Sequence, residues 1–257
     1  MLHLEEVSCP SQAPAPYSAY DDFAWLYSQD WGADFHRQAL PALQSFCLAR
    51  LPAGARLLDL CCGSGDLSAL LVSRGFAVTG LDSSAEMLRY ARRKAPQAAL
   101  VRADARQFCF RPVFDAALST FDSLNHIADL RELLRVFENV YAALRPGGLF
   151  VFDLNMEPSF QTLWRGVSAK VSEECVWVLR GSYDPERRMG RAELTIFRKQ
   201  HGWRRSDVTI EERCYSEQEV LSALHQAGFR DAECHEAWEL GMTGEAGEGR
   251  SFFRARK

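Results

Sequence analysis

No stretch of this 257-residue chain approaches the roughly 20 consecutive apolar residues of a membrane-spanning helix. The first residues lack the basic-then-apolar order of a secretory leader; Glu5 and Glu6 stand there with three nearby prolines. A reduced, cytoplasmic setting is therefore the expectation. The eight cysteines include no C-x-x-C pair, and their spacing suggests no zinc site, so no metal is expected. Positive charge is not in excess either. At a net charge of −4 no global field draws in nucleic acid. The short basic clusters Arg92-Arg93-Lys94, Arg187-Arg188 and Arg204-Arg205 read as solvated surface. No internal repeat is visible, which excludes a solenoid.

What is present is an alternation of strand and helix patterns. Residues 1–16 are rich in Pro, Ser and Ala and are expected to be disordered. One α/β domain is expected over 17–257. It opens with helices over Tyr17–Arg50, broken near Trp31-Gly32. Strands follow at Arg56–Cys61, Ala77–Leu81, Ala99–Arg102, Phe114–Ser119 and Leu149–Asp153. Helices lie between them at Asp66–Ser73, Ser84–Lys94 and Asp129–Leu144, the last stopped by Arg145-Pro146-Gly147-Gly148. Repeated β-α-β order implies a parallel sheet with helices on both faces. Residues 170–213 then read as an antiparallel β insertion, either a lid or a dimer surface. A helix at Glu217–Ala227, opened by a Ser216/Glu219 capping box, and strands near Ala232–Leu240 and Ser251–Arg256 complete the chain.

The strongest chemical signal is Leu57-Leu58-Asp59-Leu60-Cys61-Cys62-Gly63-Ser64-Gly65, an apolar strand entering a tight Gly-x-Gly turn before a helix. Glycine permits positive φ and close approach of a ligand, and the helix start favours an electron-rich group. A dinucleotide fingerprint would require a third glycine where this chain has Ser68. Asp59 sits inside the apolar strand, where an ionised carboxylate is costly unless paired. It is either a cofactor neighbour or a brace for the loop, and both readings can hold together. Asp82 closes the second strand and is suited to the two hydroxyls of a ribose, with Ser83 and Ser84 available as helix caps. Met87 is an adenine contact or core. Asp104 and Ala105, after the third strand, match an adenine amino group and ring nitrogen, or form an ordinary turn.

Together these segments, with Leu144-Arg145-Pro146-Gly147-Gly148 before the fifth strand, resemble a class I S-adenosylmethionine-dependent methyltransferase over residues 17–155, and the tail 216–257 is similar to that fold's end. The resemblance implies a Rossmann-like fold with a seven-stranded, mostly parallel sheet and one antiparallel strand. It implies S-adenosylmethionine as cofactor and S-adenosylhomocysteine as product. By the same resemblance Gly63 and Gly65 pass under the methionine part with Asp59 nearby, Asp82 holds the ribose, and Asp104 with Ala105 holds the adenine; Cys61, Ser83, Met87 and Ser119 are further cofactor-binding candidates. Cys61 stands where the family often has glycine, and tolerance is expected because Gly63 and Gly65 remain. Phe23-Ala24-Trp25-Leu26-Tyr27 is similar to a family segment whose tyrosine closes over the cofactor, which makes Tyr27, then Tyr20, candidates.

Ser119-Thr120-Phe121-Asp122-Ser123-Leu124-Asn125-His126 follows the fourth strand and, in this fold, faces the transferred methyl. It lacks the Asn/Asp-Pro-Pro-Tyr/Phe signature and is similar to bacterial members that carry a stranded insertion. A small-molecule acceptor is expected at a nitrogen or oxygen, with no membrane or nucleic-acid partner and with a homodimer open. His126 and Asp122 are the candidate bases. The alternatives are a non-catalytic nucleoside-binding module and a dinucleotide-dependent oxidoreductase, the second disfavoured by Asp59 and Ser68.

Overall fold

The computed structural model describes residues 20–257, so the expectation for 1–16 lies outside the described residues. Two sheets organise the chain. The first contains β1 (Arg56–Leu60), β2 (Ala77–Asp82), β3 (Ala99–Arg102), β4 (Phe114–Ser119), β5 (Leu144–Asn155), β10 (Arg230–Glu236) and β11 (Arg250–Arg256). Their order is β10-β11-β5-β4-β1-β2-β3. β1, β2, β3, β4 and β5 pair in parallel, and β11 runs antiparallel to both neighbours. This is the seven-stranded Rossmann-like sheet expected from the sequence.

Apolar faces on both sides of that sheet demand cover. On one face Phe137 and Val140 of α5 (Leu130–Ala143) and Leu224 of α7 (Glu217–Gln226) pack on Phe150 and Phe152. On the other, Leu43 and Phe46 of α2 (Gly32–Phe46) and Leu67 and Leu71 of α3 (Asp66–Ser73) pack on Leu57 and Val151. The Ser216/Glu219 capping box forms as expected. Ser84 caps α4 (Ala85–Lys94) by accepting from the Met87 N–H. α1 (Tyr20–Leu26) continues into α2 through a single wide helical turn, Tyr27–Trp31, so the break expected near Trp31-Gly32 is a widening of a continuous helical run. One boundary shifts: Leu144-Arg145-Pro146-Gly147-Gly148 begins β5 instead of ending α5, because Leu144 already pairs with Phe114.

The second sheet is antiparallel, with order β6-β7-β8-β9. It comprises β6 (Gly166–Val171), β7 (Cys175–Asp184), β8 (Met189–Lys199) and β9 (Trp203–Arg213). β6 and the preceding α6 (Glu157–Thr162) were not anticipated, so the sheet starts before position 170. β6 is exposed along its whole length, and its short alternation of Val167, Ala169 and Val171 buries nothing. Leu194, Ile196 and Val208 of the inner face pack on Phe23, Leu26 and Met87. α1 is thereby held between the two sheets.

Candidate active site

β1 delivers the chain into a tight turn. Gly63 and Gly65 both have positive φ, and a Cβ on Gly65 would lie 2.7 Å from the Ala91 Cα, so only glycine lets α4 pack there. Cys61 also has positive φ, 59°. The missing family glycine therefore falls on a position that does require left-handed backbone, and the cysteine adopts it at a cost of about 1–2 kcal/mol. Asp59 is buried and accepts a 2.5 Å hydrogen bond from the Ser68 hydroxyl. Burial pushes its carboxyl up to about 7, with Ser68 pulling the other way. The residue that breaks the dinucleotide fingerprint is thus the partner of the buried acid.

A cavity of about 350 Å³ opens at the strand ends, where the order reverses between β1 and β4. Cys61, Gly63, Asp82, Ser83, Met87, Asp104 and Ala105 line it, as do Tyr20, Tyr27 and His126. Asp59, Gly65 and Ser119 do not. Asp59 turns to Ser68, Gly65 backs onto Ala91, and the buried Ser119 hydroxyl faces the Cys61 thiol. These three stand behind the cavity wall, Asp59 as the brace for the loop that its place in the strand allows. The Asp82 carboxylate accepts from the Gly63 N–H at 2.9 Å and the Ser84 N–H at 2.8 Å, locking the turn to β2. Burial raises its carboxyl, and these amides oppose the rise. At Asp104 burial also disfavours the charge, but Arg106 outweighs it through its guanidinium and N–H and holds the carboxyl below its usual range.

The two tyrosines are brought over this cavity by polar ties. Asp21 accepts from the Ser84 hydroxyl at 2.5 Å, joining α1 to α4. Lys94 donates to the Ser28 carbonyl at 3.0 Å and forms a 2.8 Å ion pair with Asp66 beside the glycine turn. Tyr27 lies against Gly63 and Phe121. Burial raises both tyrosine hydroxyls, so each stays protonated as a donor.

A second cavity of about 220 Å³ lies between the two sheets and shares Tyr20, Tyr27, Phe121 and His126 with the first. Its wall is aromatic and apolar except at one end, where Asp122, His126 and Glu212 meet. Phe121 and Asp122 both have positive φ. The Asp153 carboxylate holds this strained pair by accepting from both of their N–H groups, and Arg250 pairs with Asp153. Asn125 bridges the loop to the Asn155 and Arg213 carbonyls. The expected base Asp122 accepts from Asn155 at 2.6 Å and lies 3.4 Å from Arg250, on the second cavity and away from the first. His126 borders both. The Tyr20 hydroxyl lies 2.9 Å from its Nδ1, and burial lowers its pKa, leaving a neutral imidazole. Sequence reasoning missed Glu212, Arg250 and Asp153. The available signals were a carboxylate inside the apolar strand Val151-Phe152-Asp153-Leu154 and a glutamate continuing the inward alternation Val208, Ile210, Glu212.

An open α/β sheet with a cleft at its switch point, walled by carboxylates at successive strand ends, defines a protein that binds a nucleoside-bearing cofactor. The comparisons narrow that class. A family model described as a methyltransferase domain matches residues 57–148. The Bacillus subtilis (strain 168) protein YqeM, named as a methyltransferase, is 29% identical over 71% of this chain and 76% of its own length. A dTDP-3-amino-3,6-dideoxy-alpha-D-glucopyranose N,N-dimethyltransferase of Streptomyces fradiae is 35% identical over 60% of this chain, which spans 59% of that relative. The solved structure of CalS10 from Micromonospora echinaspora, an amino pentose methyltransferase with S-adenosylmethionine bound, is 25% identical with a TM-score of 0.70, covering 96% of this chain and 99% of its own. The chain carries a methyltransferase domain, its fold is that of S-adenosylmethionine-dependent methyltransferases, and S-adenosylmethionine is its cofactor. No helix among the described residues is long and apolar enough to cross a membrane.

Proposed function

We propose that the chain methylates a nitrogen or oxygen of a small molecule held between its two sheets, with the cofactor in the larger cavity. The continuity of the two cavities through Tyr20, Tyr27, Phe121 and His126 carries this reading, since methyl transfer needs donor and acceptor to meet across a shared wall. The residues at hand fit the cofactor: Asp82 and Ser83 at the ribose, Met87, Asp104 and Ala105 at the adenine, Cys61 and Gly63 beneath the methionine part, and Tyr20 and Tyr27 closing above. Asp59 and Gly65 act from behind this wall by fixing the turn. S-adenosylmethionine supplies an already electrophilic methyl on its sulfonium. The chain's task is alignment, and a near-attack geometry supplies on the order of 7–11 kcal/mol.

His126 is the base of this reading, because it is neutral and borders both cavities. Relatives that act on amino sugars support a small, polar-headed acceptor. The four-stranded sheet serves as a lid, with its inner face on α1. Its outer strand β6, with Val167 71% and Val171 78% exposed, is the surface for a second copy. The setting of this reading is a reduced cytoplasm, in which Cys47, Cys62 and Cys214 stay buried as thiols. Net charge argues against nucleic acid as the acceptor.

Calorimetry with S-adenosylhomocysteine tests the reading. Binding in the micromolar range, weakened about a hundredfold by Asp82→Ala, is expected from a lost charge-assisted contact. A folded wild-type protein that gives no binding signal would overturn it.

A further inference from the structure

The mechanism above leaves one buried titratable group unused. Glu212 is 3% exposed, lines the second cavity and stands with its Oε1 3.3 Å from the Nε2 of His126. Its Oε2 accepts from the Asn155 amide at 3.3 Å. It projects from β9 at a position where the alternation places Val208 and Ile210 on the same face. An acid there carries a desolvation cost that packing alone does not explain. We propose that Glu212 is the acceptor-binding carboxylate, which selects a basic amine on a ring-sized apolar body and takes its proton before methyl transfer. This rests on the reading of the larger cavity as the cofactor site.

The charge inventory favours an amine. The groups facing Glu212 are Tyr20 of α1, Asp122 and His126 after β4, and Arg250 of β11, with Asp153 of β5 behind Arg250. Three carboxyls therefore share one guanidinium. Burial, with Asp122 adding, pushes the Glu212 carboxyl well above its usual range, so it holds a proton at rest. His126 is neutral. An ammonium supplies the missing second cation, and Glu212 releases its proton to solvent as the ammonium binds. The rest of the cavity matches an apolar ring, with Phe23, Trp31, Phe121 and Trp164 around it. At about 220 Å³ it is smaller than a drug-sized site, so it takes the reacting end of the acceptor.

The step balances. One N–H bond of the ammonium breaks and its proton passes by way of His126, the base, to the Glu212 carboxylate. The freed nitrogen lone pair forms the N–C bond while the C–S bond breaks, its pair going to sulfur. The products are a methylated ammonium and a neutral thioether, and Glu212 passes its proton to solvent.

The test uses benzylamine and benzyl alcohol as probes, titrated into the complex with S-adenosylhomocysteine by calorimetry in phosphate and in Tris. The two buffers differ in ionisation enthalpy, so the pair of heats counts protons. Benzylamine is expected to bind with release of about one proton near neutral pH, and the alcohol to bind at least about tenfold more weakly. Glu212→Gln is expected to weaken benzylamine by about ten- to a hundredfold and to abolish proton release, while its affinity for S-adenosylhomocysteine reports an intact fold. Equal affinity for amine and alcohol, unchanged amine binding in Glu212→Gln, or no amine binding overturns the proposal. The first comparison needs only wild-type protein and stands if the variant fails to fold. Absence of S-adenosylhomocysteine binding is a different failure: it removes the cofactor reading itself, and this proposal with it.

Discussion

The two cavities hold their charges in opposite ways. Around the larger one, each carboxylate is satisfied mainly by its own strand–turn–helix unit or by the next strand. Asp59 finds Ser68 nine residues away, and Asp104 is held by Arg106. Around the smaller one, partners come from across the chain. Arg250 and Asp153 are 97 residues apart, and Asn155 reaches Asp122 over 33. The strand-end carboxylates of the larger cavity are therefore held locally, and only its tyrosine cover is tied on from afar, through Asp21 to Ser84 and Lys94 to Ser28. The polar end of the smaller cavity forms only when β9 and β11 are both in place against the loop after β4.

The largest expected effect breaks the long-range side. Arg250→Met leaves Asp153 and Asp122 buried without their cation, and such a loss costs about 3–5 kcal/mol. For a domain of this size that is a fall in Tm of roughly 6–20 °C by scanning calorimetry. A shift below about one degree would mean that the network is not the support of the acceptor side.

Asp59 probes the local side through pH. Its folded carboxyl lies at about 7, against about 3.9 in the unfolded chain. The folded state therefore prefers the proton. The associated stability is fully present below about pH 4 and is lost as pH rises through 7, up to about 4 kcal/mol in total. Asp59→Asn stays neutral, so its urea-unfolding free energy should fall less than that of wild type between pH 4 and 8. A slope identical to wild type would mean that Ser68 and the turn do not bury this acid as described.

The smallest effect belongs to the outer edge. Val171→Lys on β6 changes a residue that is 78% exposed, and stability should move by no more than about 0.5 kcal/mol. A larger loss in the isolated chain would show that β6 is covered in solution and would sharpen the case for a second copy there.

The same contrast governs what the sequence discloses. α3, β3 and β4 fall where periodicity puts them, because their caps, glycines and apolar faces are local. Asp82, Asp104 and Ala105 could be placed at the cavity from sequence because Asp82 ends β2 and the other two lie just after β3. Asp59 was visible as an anomaly, but its partner Ser68 was read only as an absent glycine. Glu212 and Arg250 were not read as site residues, because their neighbours are set by β9 and β11 pairing, which no short window contains. β6 escaped for the opposite reason: it is exposed on both faces, and its three-residue alternation of Val167, Ala169 and Val171 is too short to mark a strand.

The most direct test of the account is a structure of the protein with S-adenosylhomocysteine bound. The account predicts the ribose at Asp82, the adenine between Met87 and Asp104, and the sulfur pointing past Tyr20 and His126 toward the smaller cavity. A nucleoside seated elsewhere, or a sulfur turned away from that shared wall, would contradict it.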